Sequence, residues 1–432
     1  MARTPGTNAF LFIFITVTLN MIGFGIIMPV MPQLIMDVTG EDLANAAQWG
    51  GYLSLVYALM QFVMMPIVGG LSDRFGRKPI LLVSLAAYSL DFLLMAVAPV
   101  VGVIVIARVL AGAFAATYST ANAYVADITP PNERAARFGL LGAAFGLGFI
   151  IGPGIGGLVG EHFGPRAPFF LVAALSGLNF LFGLIVLPET LSRENRRPFD
   201  WRRANALGNF KQFAKYPMML PISIVLFISS IAHWTYPSVW SYFSEEQFGW
   251  TPDLIGWSLM FVGLCSAIVQ GGLTRIVVPA LGERVTAVAG MCIAAAAYLG
   301  IALADRGWVI YVVIAISSLA GLAGPALQGI MSRTMPANAQ GELQGAIGAI
   351  SSVSMILGPP LMTQIFAAFS SPGLPFDIGG VVLLPEGAPF YFPGAPFAFA
   401  SVLELAAVIL LFYAFRRIVR PRDVAAEVDI PR

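Results

Sequence analysis

The chain has 432 residues, 58% hydrophobic and 11% charged, with a mean hydropathy of +0.81 and a net charge of +1. A soluble domain carries about a quarter charged residues, so this composition excludes an ordinary soluble protein, and the near-zero charge offers nothing to a nucleic acid. Two cysteines, Cys265 and Cys292, exclude a disulfide framework; inside apolar runs, they read as small buried residues.

Apolar stretches of about 20 residues each read as membrane helices. In chain order, twelve spans are predicted, at 9–35, 48–70, 79–99, 101–124, 137–160, 167–188, 217–243, 252–278, 284–304, 307–332, 340–369 and 394–419. The first follows a short tail bearing Arg3 and is too long for a signal peptide, so it reads as a retained helix. Between spans two and three stands a charged turn, Gly69-Gly70-Leu71-Ser72-Asp73-Arg74-Phe75-Gly76-Arg77-Lys78-Pro79. Segment 189–216 holds Arg193, Arg196, Arg197, Arg202, Arg203, Lys211 and Lys215. It reads as a linker between an N-terminal bundle (1–188) and a C-terminal bundle (217–432). Segment 370–394, rich in Pro and Gly, is expected to be a structured, passive loop rather than a lid.

Positive charge collects on the cytoplasmic side of membrane proteins. With the N-terminus placed there, only Arg166 and Arg306 of the 24 basic residues fall outside, and Arg108 falls within a span. Both termini are therefore expected in the cytoplasm. Asp37, Glu41, Asp42, Glu245, Glu246 and Asp253 fall on the outer side.

Ionisable groups within spans are costly and are functional candidates by default. Asp91 lies about eight residues from the outer end of span three and Arg108 about seven into span four, so antiparallel neighbours put them at similar depth. They either pair or face a cavity together. Glu404, in span twelve, reads as a proton site or an acid facing a wet crevice. His233, in span seven, reads as a titrating group or a hydrogen-bonded structural one. Among the aromatics after it, Trp234 and Tyr236 are cavity candidates, while Trp240, Tyr242 and Phe243 read as an interfacial belt. Gln61, Gln328 and Gln344 are equally readable as cavity-lining or as interhelical hydrogen-bonding residues. No nucleotide-binding loop, metal-binding pattern or enzyme signature is present, so neither a cofactor nor a metal is expected.

Four stretches resemble the drug/proton antiporter branch of the major facilitator superfamily. They are the charged turn, Ala107-Arg108-Val109-Leu110-Ala111-Gly112, Gly148-Phe149-Ile150-Ile151-Gly152-Pro153-Gly154-Ile155-Gly156-Gly157, and Pro188-Glu189-Thr190. Tyr57-Ala58-Leu59-Met60-Gln61, Gly142-Ala143-Ala144-Phe145-Gly146-Leu147-Gly148 and Pro325-Ala326-Leu327-Gln328-Gly329 resemble tetracycline-efflux proteins in particular. The resemblance implies an all-α fold of two six-helix bundles around a midplane cavity, rocking to transport. It implies a proton-coupled antiporter exporting small organic compounds, a monomer in the lipid bilayer of the bacterial inner membrane.

The resemblance also assigns roles. Asp73 would face a helix N-terminus of the other bundle, where the dipole favours an anion. With Gly69, Arg74, Gly76 and an Arg77–Asp127 pair, it would latch the cytoplasmic seam from one side, since the turn near Arg275 to Arg284 lacks a matching pattern. Gly148, Gly152, Pro153, Gly156 and Gly157 would serve close packing and bending of helix five. The helix-four arginine would set the acidity of a carboxylate on helix one, but the matching position is Asn20, in Leu19-Asn20-Met21-Ile22-Gly23-Phe24-Gly25. An amide does not titrate. The chain therefore couples protons through other groups, does not couple them, or carries a deliberate Asp-to-Asn change.

The tetracycline pumps carry an acid in helix nine, where this chain has Ala294-Ala295-Ala296-Ala297. Their helix-eight histidine is replaced near Ser266. These departures argue against tetracycline itself, while a mostly apolar cavity suits an apolar or aromatic-bearing organic molecule. Two further readings stay open: an uncoupled or differently coupled organic-anion carrier, with Arg108 binding the anion, and a non-transporting membrane receptor or scaffold.

Overall fold

A computed structural model describes residues 5–115, 117–199, 220–335, 339–374, 376–378, 381–384 and 387–418. Twelve of its helices are long and apolar enough to cross a membrane. They are α1 (Pro5–Thr39), α2 (Leu43–Phe75), α3 (Arg77–Val97), α4 (Val101–Ala113 continued by Thr117–Ile128), α5 (Arg134–Phe163) and α6 (Ala167–Val186), then six more. Those are α7 (Leu220–Phe248), α8 (Pro252–Ile268 continued by Thr274–Leu281), α9 (Glu283–Ala302), α10 (Gly307–Ser317 continued by Ala323–Thr334), α11 (Gln340–Ser370) and α12 (Ala395–Ile418). A π-helical turn, Val269–Leu273, interrupts α8, and a 3-10 stretch, Ser318–Leu322, interrupts α10. Residues 200–216 of the expected linker lie outside the described residues.

Without a hydrophobic drive between helices in lipid, close packing of small residues holds a membrane bundle together. Helix α5 shows this on two faces. On one, Gly148, Gly152 and Gly156 lie against the backbone of α1 at Thr18, Ile22 and Ile26; on the other, Gly157 lies against Pro252 of α8. Gly256 of α8 in turn meets the Pro153 carbonyl, and Gly263 meets Ile150. The α2–α11 seam is built alike, with Gly51 against Pro360 and Thr363, while Gly50 takes Tyr242 of α7. All these contacts between the first six and last six helices lie toward the end that carries Asp42 and Thr251.

Toward the other end, the same faces diverge. The α5 face that meets α8 at Ile150, Pro153 and Gly157 continues, at helical spacing, through Gly146, Gly142 and Gly139. A methyl group added at any of these three would meet nothing within 4 Å. The same holds for Gly271 and Gly272 of α8, Gly69 of α2, and Gly348 and Gly341 of α11. The molecule is thus closed at its Asp42 end and open at its Asp73 end.

Helix α3 is fixed from both sides by the flanks of α6. At its C-terminus, the Arg166 Nη1 donates to the carbonyls of Ala96 (3.1 Å) and Ala98 (2.8 Å). At its N-terminus, Glu189 accepts from the backbone N–H of Arg77 (2.9 Å) and Lys78 (3.2 Å). A cation on free carbonyls and an anion on free amides both suit the helix dipole. Gly76, at φ +109°, makes the turn, and a Cβ there would collide with the Glu189 carboxylate.

The segment after α11 is not wholly irregular. Strands β1 (Phe376–Ile378) and β2 (Val381–Leu384) pair antiparallel, with a register shift between Phe376 and Asp377. The segment is strapped to the closed end: Phe392 N–H donates to the Phe369 carbonyl (2.8 Å) and Tyr391 OH to Glu246 Oε1 (2.7 Å). Burial, then the Glu246 carboxylate, pushes the Tyr391 phenol up to about 12, so it keeps its proton to donate.

Two expectations need correcting. Cys292 is exposed rather than buried, because an apolar thiol suits the lipid-facing side of α9 as well as a core. Trp240, Tyr242 and Phe243 are not an interfacial belt. They are buried, Trp240 and Phe243 packing on Phe397 of α12 at 6.2 and 4.9 Å, because α7 turns this face inward.

Candidate functional site

A cavity of about 200 Å³ lies between the two groups of six helices, walled by α1, α2, α3, α4, α7 and α11. On α1 its wall is one helical stripe: Val17, Asn20, Met21, Phe24, Ile27, Met28 and Met31. Spacing of three and four residues puts these on one face. Trp234, Pro237, Ser238, Ser241 and Tyr242 of α7, with Met355 and Pro359 of α11, face it from the other group. Eight aromatic side chains and four methionines stand in the wall, surface that adapts to flat apolar molecules.

One corner is polar. Arg108 Nη2 donates to both oxygens of Asp91, each at 2.6 Å, and also contacts Met95 Sδ at 2.6 Å. Asp91 is only 1% exposed and Arg108 7%. Removing either partner would leave a buried charge unpaired, so the two stand or fall together. Tyr57 and Tyr88 share the corner, and Tyr88 OH donates to the Asn20 carbonyl at 2.7 Å. Glycine makes this closeness possible. A Cβ at Gly23 would collide with the Tyr88 hydroxyl, and one at Gly112 with the Tyr57 carbonyl.

Two groups in this corner have no hydrogen-bond partner among the described residues: Asn20 Oδ1 and Arg108 Nε. The corner therefore offers one free acceptor and one free donor beside a charge pair that is neutral overall. Such an arrangement can orient an organic molecule and can respond to a proton arriving at Asp91.

The structure thus brings Asn20, Asp91, Arg108 and Trp234 to one cavity. The other cavity candidates are placed elsewhere. Tyr236 stacks on Trp240 (centroids 4.5 Å apart, planes at 14°), turned toward α12. Gln61 is half-buried where Gly112 draws α4 against α2, with its Oε1 unpaired and off the cavity wall. Gln328 and Gln344 are exposed toward the open end. Glu404 is buried in the last six helices, where Ser229 Oγ donates to its Oε2 at 3.0 Å. No salt bridge to it occurs among the described residues. His233 is exposed and outside the cavity wall.

Tyr57, Tyr88, Ser241, Tyr242 and the methionines are cavity residues that the sequence reading does not place there. The stripe through Asn20 at helical spacing would have found Phe24, Met28 and Met31.

The charged turn makes its expected Arg77–Asp127 pair, but its reach across the seam is corrected. Arg77 Nη1 meets Asp73 Oδ1 at 2.7 Å, and Arg77 Nε meets Asp127 Oδ2 at 3.3 Å. Ser72, Glu189, Thr190 and the Arg197 backbone add further contacts, all within the first part of the chain. None of these contacts crosses the seam, because the seam is open here. Arg74 instead lies over the Phe75 ring at 5.1 Å. Nor is the arrangement one-sided. At the matching place after Gly282 (φ +79°), Glu283 Oε1 meets Arg333 Nη2 at 3.0 Å. The first residue of α3 is a cation paired with an anion near the end of α4. The first residue of α9 is an anion paired with a cation near the end of α10.

Comparison with known proteins places this architecture. The family model described as Major Facilitator Superfamily matches residues 13–359. The chain is 38% identical over 379 residues to the tetracycline resistance protein, class C, of Escherichia coli, covering 87% of this chain and 95% of that one. It is 31% identical over 353 residues to multidrug resistance protein 2 of Bacillus subtilis (strain 168), covering 80% and 85%. Among solved structures it superposes on a bacterial homolog of the human lysosomal transporter Spinster, in an inward-facing and unoccupied conformation, with a TM-score of 0.74. The identity is 19%, over 96% of this chain and 98% of that one. The chain belongs to the Major Facilitator Superfamily and is a multi-pass membrane transporter, not an enzyme.

Proposed function

We propose that the chain is a proton-coupled antiporter that exports small organic compounds by alternating access. Residues 1–188 and 217–432 are the two rocking bodies, 189–216 joins them, and the Asp73 end faces the cytoplasm. The distribution of basic residues supports that orientation. The names of the relatives, a tetracycline resistance protein and a multidrug resistance protein, support organic compounds as cargo. The observation that carries the reading is the buried Asp91–Arg108 pair in a cavity open at one end.

In this reading a proton reaching Asp91 removes its charge and frees Arg108, which then turns its donors to cargo or to Asn20 Oδ1. Loss of the proton restores the pair and closes the cycle. Glu404 and His233 stand as secondary proton candidates, and the Arg77–Asp73–Asp127 cluster as the latch that meets the other half once the open end closes. A second reading, an organic-anion carrier without proton coupling, is favoured by one feature: Arg108 Nε has no partner among the described residues and would suit an anion.

Reconstitution in liposomes under an imposed pH gradient separates the two. Tetracycline and a series of aromatic organic compounds serve as probes. Proton coupling requires gradient-driven movement in the wild type, lost in Asp91→Asn. Asp91→Asn strands Arg108, at a cost of about 3–5 kcal/mol. The neutral pair Asp91→Asn with Arg108→Gln controls for misfolding and should also be uncoupled. Asn20→Asp should steepen the pH dependence. Movement indifferent to the gradient in every form would sink antiport and leave the anion carrier.

A further inference from the structure

Helix α1 carries Pro29 and Pro32. In an α-helix the carbonyl of residue i accepts from the N–H of residue i+4. Pro32 has no N–H, so the Met28 carbonyl has no donor from that position. A buried carbonyl without a partner is costly, and few are left so in native structures.

This one is satisfied from the other half of the molecule. Ser241 Oγ, on α7, donates to the Met28 carbonyl at 2.6 Å, and the bond is buried. Met28 and Ser241 both line the cavity. The bond lies on the side where Tyr242 presses on Gly50 and Thr363 on Gly51, so it belongs to the closed end. Among the described residues it is a side-chain hydrogen bond that joins the first six helices to the last six across the cavity.

We propose that Ser241 and the carbonyl released by Pro32 form the bolt of the closed-end gate. When the gate opens, α1 and α7 part and water satisfies both groups. When it closes, water leaves and the two must satisfy each other. The bond therefore favours the state seen here, closed at the Asp42 end, over its opposite. The inference rests on alternating access but not on proton coupling.

The experiment reads gate opening directly. A single cysteine replaces Ala47, a fully buried α2 residue one turn from Gly51, in a Cys265→Ser, Cys292→Ser background. Labelling by a membrane-impermeant maleimide is followed without substrate or pH gradient, so failure of proton coupling would leave this readout intact. Ser241→Ala should raise the labelling rate about tenfold, the size expected for stranding one buried acceptor. Ser241→Thr, which keeps the hydroxyl, should restore it toward wild type. Pro32→Ala returns an N–H to the Met28 carbonyl, so Ser241→Ala should lose most of its effect in that background. Unchanged labelling in Ser241→Ala would overturn the proposal. So would an equal effect of Ser241→Ala with and without Pro32.

Discussion

The two ends of the α5–α8 seam use one helical face and reach opposite outcomes. Near the Asp42 end, Gly157 and Pro153 touch Pro252 and Gly256 backbone to backbone. Nearer the Asp73 end, Gly146, Gly142 and Gly139 continue the same face of α5 and meet nothing. Both stretches are made of small residues, so residue size permits contact without dictating it. The hydrogen bonds tell the two ends apart. At the closed end Ser241 reaches across to Met28, whereas at the open end Arg77, Asp73, Asp127 and Glu189 satisfy one another within the first half. Across the seam, among the described residues, the open end's charges stay within the first half, whereas the closed end packs small residues and adds the neutral Ser241–Met28 bond.

The largest effect should come from adding bulk to this face. Gly157→Val would overpack the seam by about 1–3 kcal/mol. Labelling at Ala47→Cys should then rise about fivefold or more on the scale of about 1.4 kcal/mol per decade. Gly142→Val, on the open stretch, should leave this state unharmed and obstruct its opposite, so that labelling falls. Equal responses at the two positions would erase the distinction between the ends.

An effect of similar size, read in stability rather than in gate opening, is expected at the turn that anchors α3. Gly76→Ala forces a side chain into a backbone region that belongs to glycine and pushes it into Glu189, at a cost of about 1–3 kcal/mol. The thermal unfolding midpoint should fall, and Glu189→Ala in the same chain should relieve part of the loss by removing the collision. Least of all should follow from Arg333→Gln. Arg333 is 79% exposed, against 13% for Arg77, and exposed pairs contribute about 0–1 kcal/mol. Arg77→Gln should therefore lower the midpoint more than Arg333→Gln. The reverse order would mean that the second-half turn, not the first, is the anchored one.

The twelve helices were legible because each apolar run is long enough to cross a bilayer and is bounded by charge. Asp91 and Arg108 could be placed at one depth by counting from helix ends. Their direct contact needed the antiparallel α3 and α4 to turn those faces together, which spacing alone leaves undecided. Glu189 was readable as part of a motif but not as a cap, since its partners at Arg77 and Lys78 lie over a hundred residues earlier. The α7 aromatics were misread because the belt rule concerns residues at a bilayer surface, and this stretch packs against α12 instead. The bolt was hidden for a different reason. Proline in a membrane helix usually reads as a kink, and only the structure shows which side chain meets the freed carbonyl.

Alternation between the ends is tested most directly by two distances in one sample. Nitroxide pairs at Gly142 and Gly271 report the open end, and pairs at Glu161 and Leu254 the closed end. Pulsed electron–electron resonance in lipid nanodiscs, across pH and with cargo present, should show the first distance shortening as the second lengthens. Two distances that change in the same direction, or a first distance that moves while the second stays fixed, would contradict alternating access in this chain.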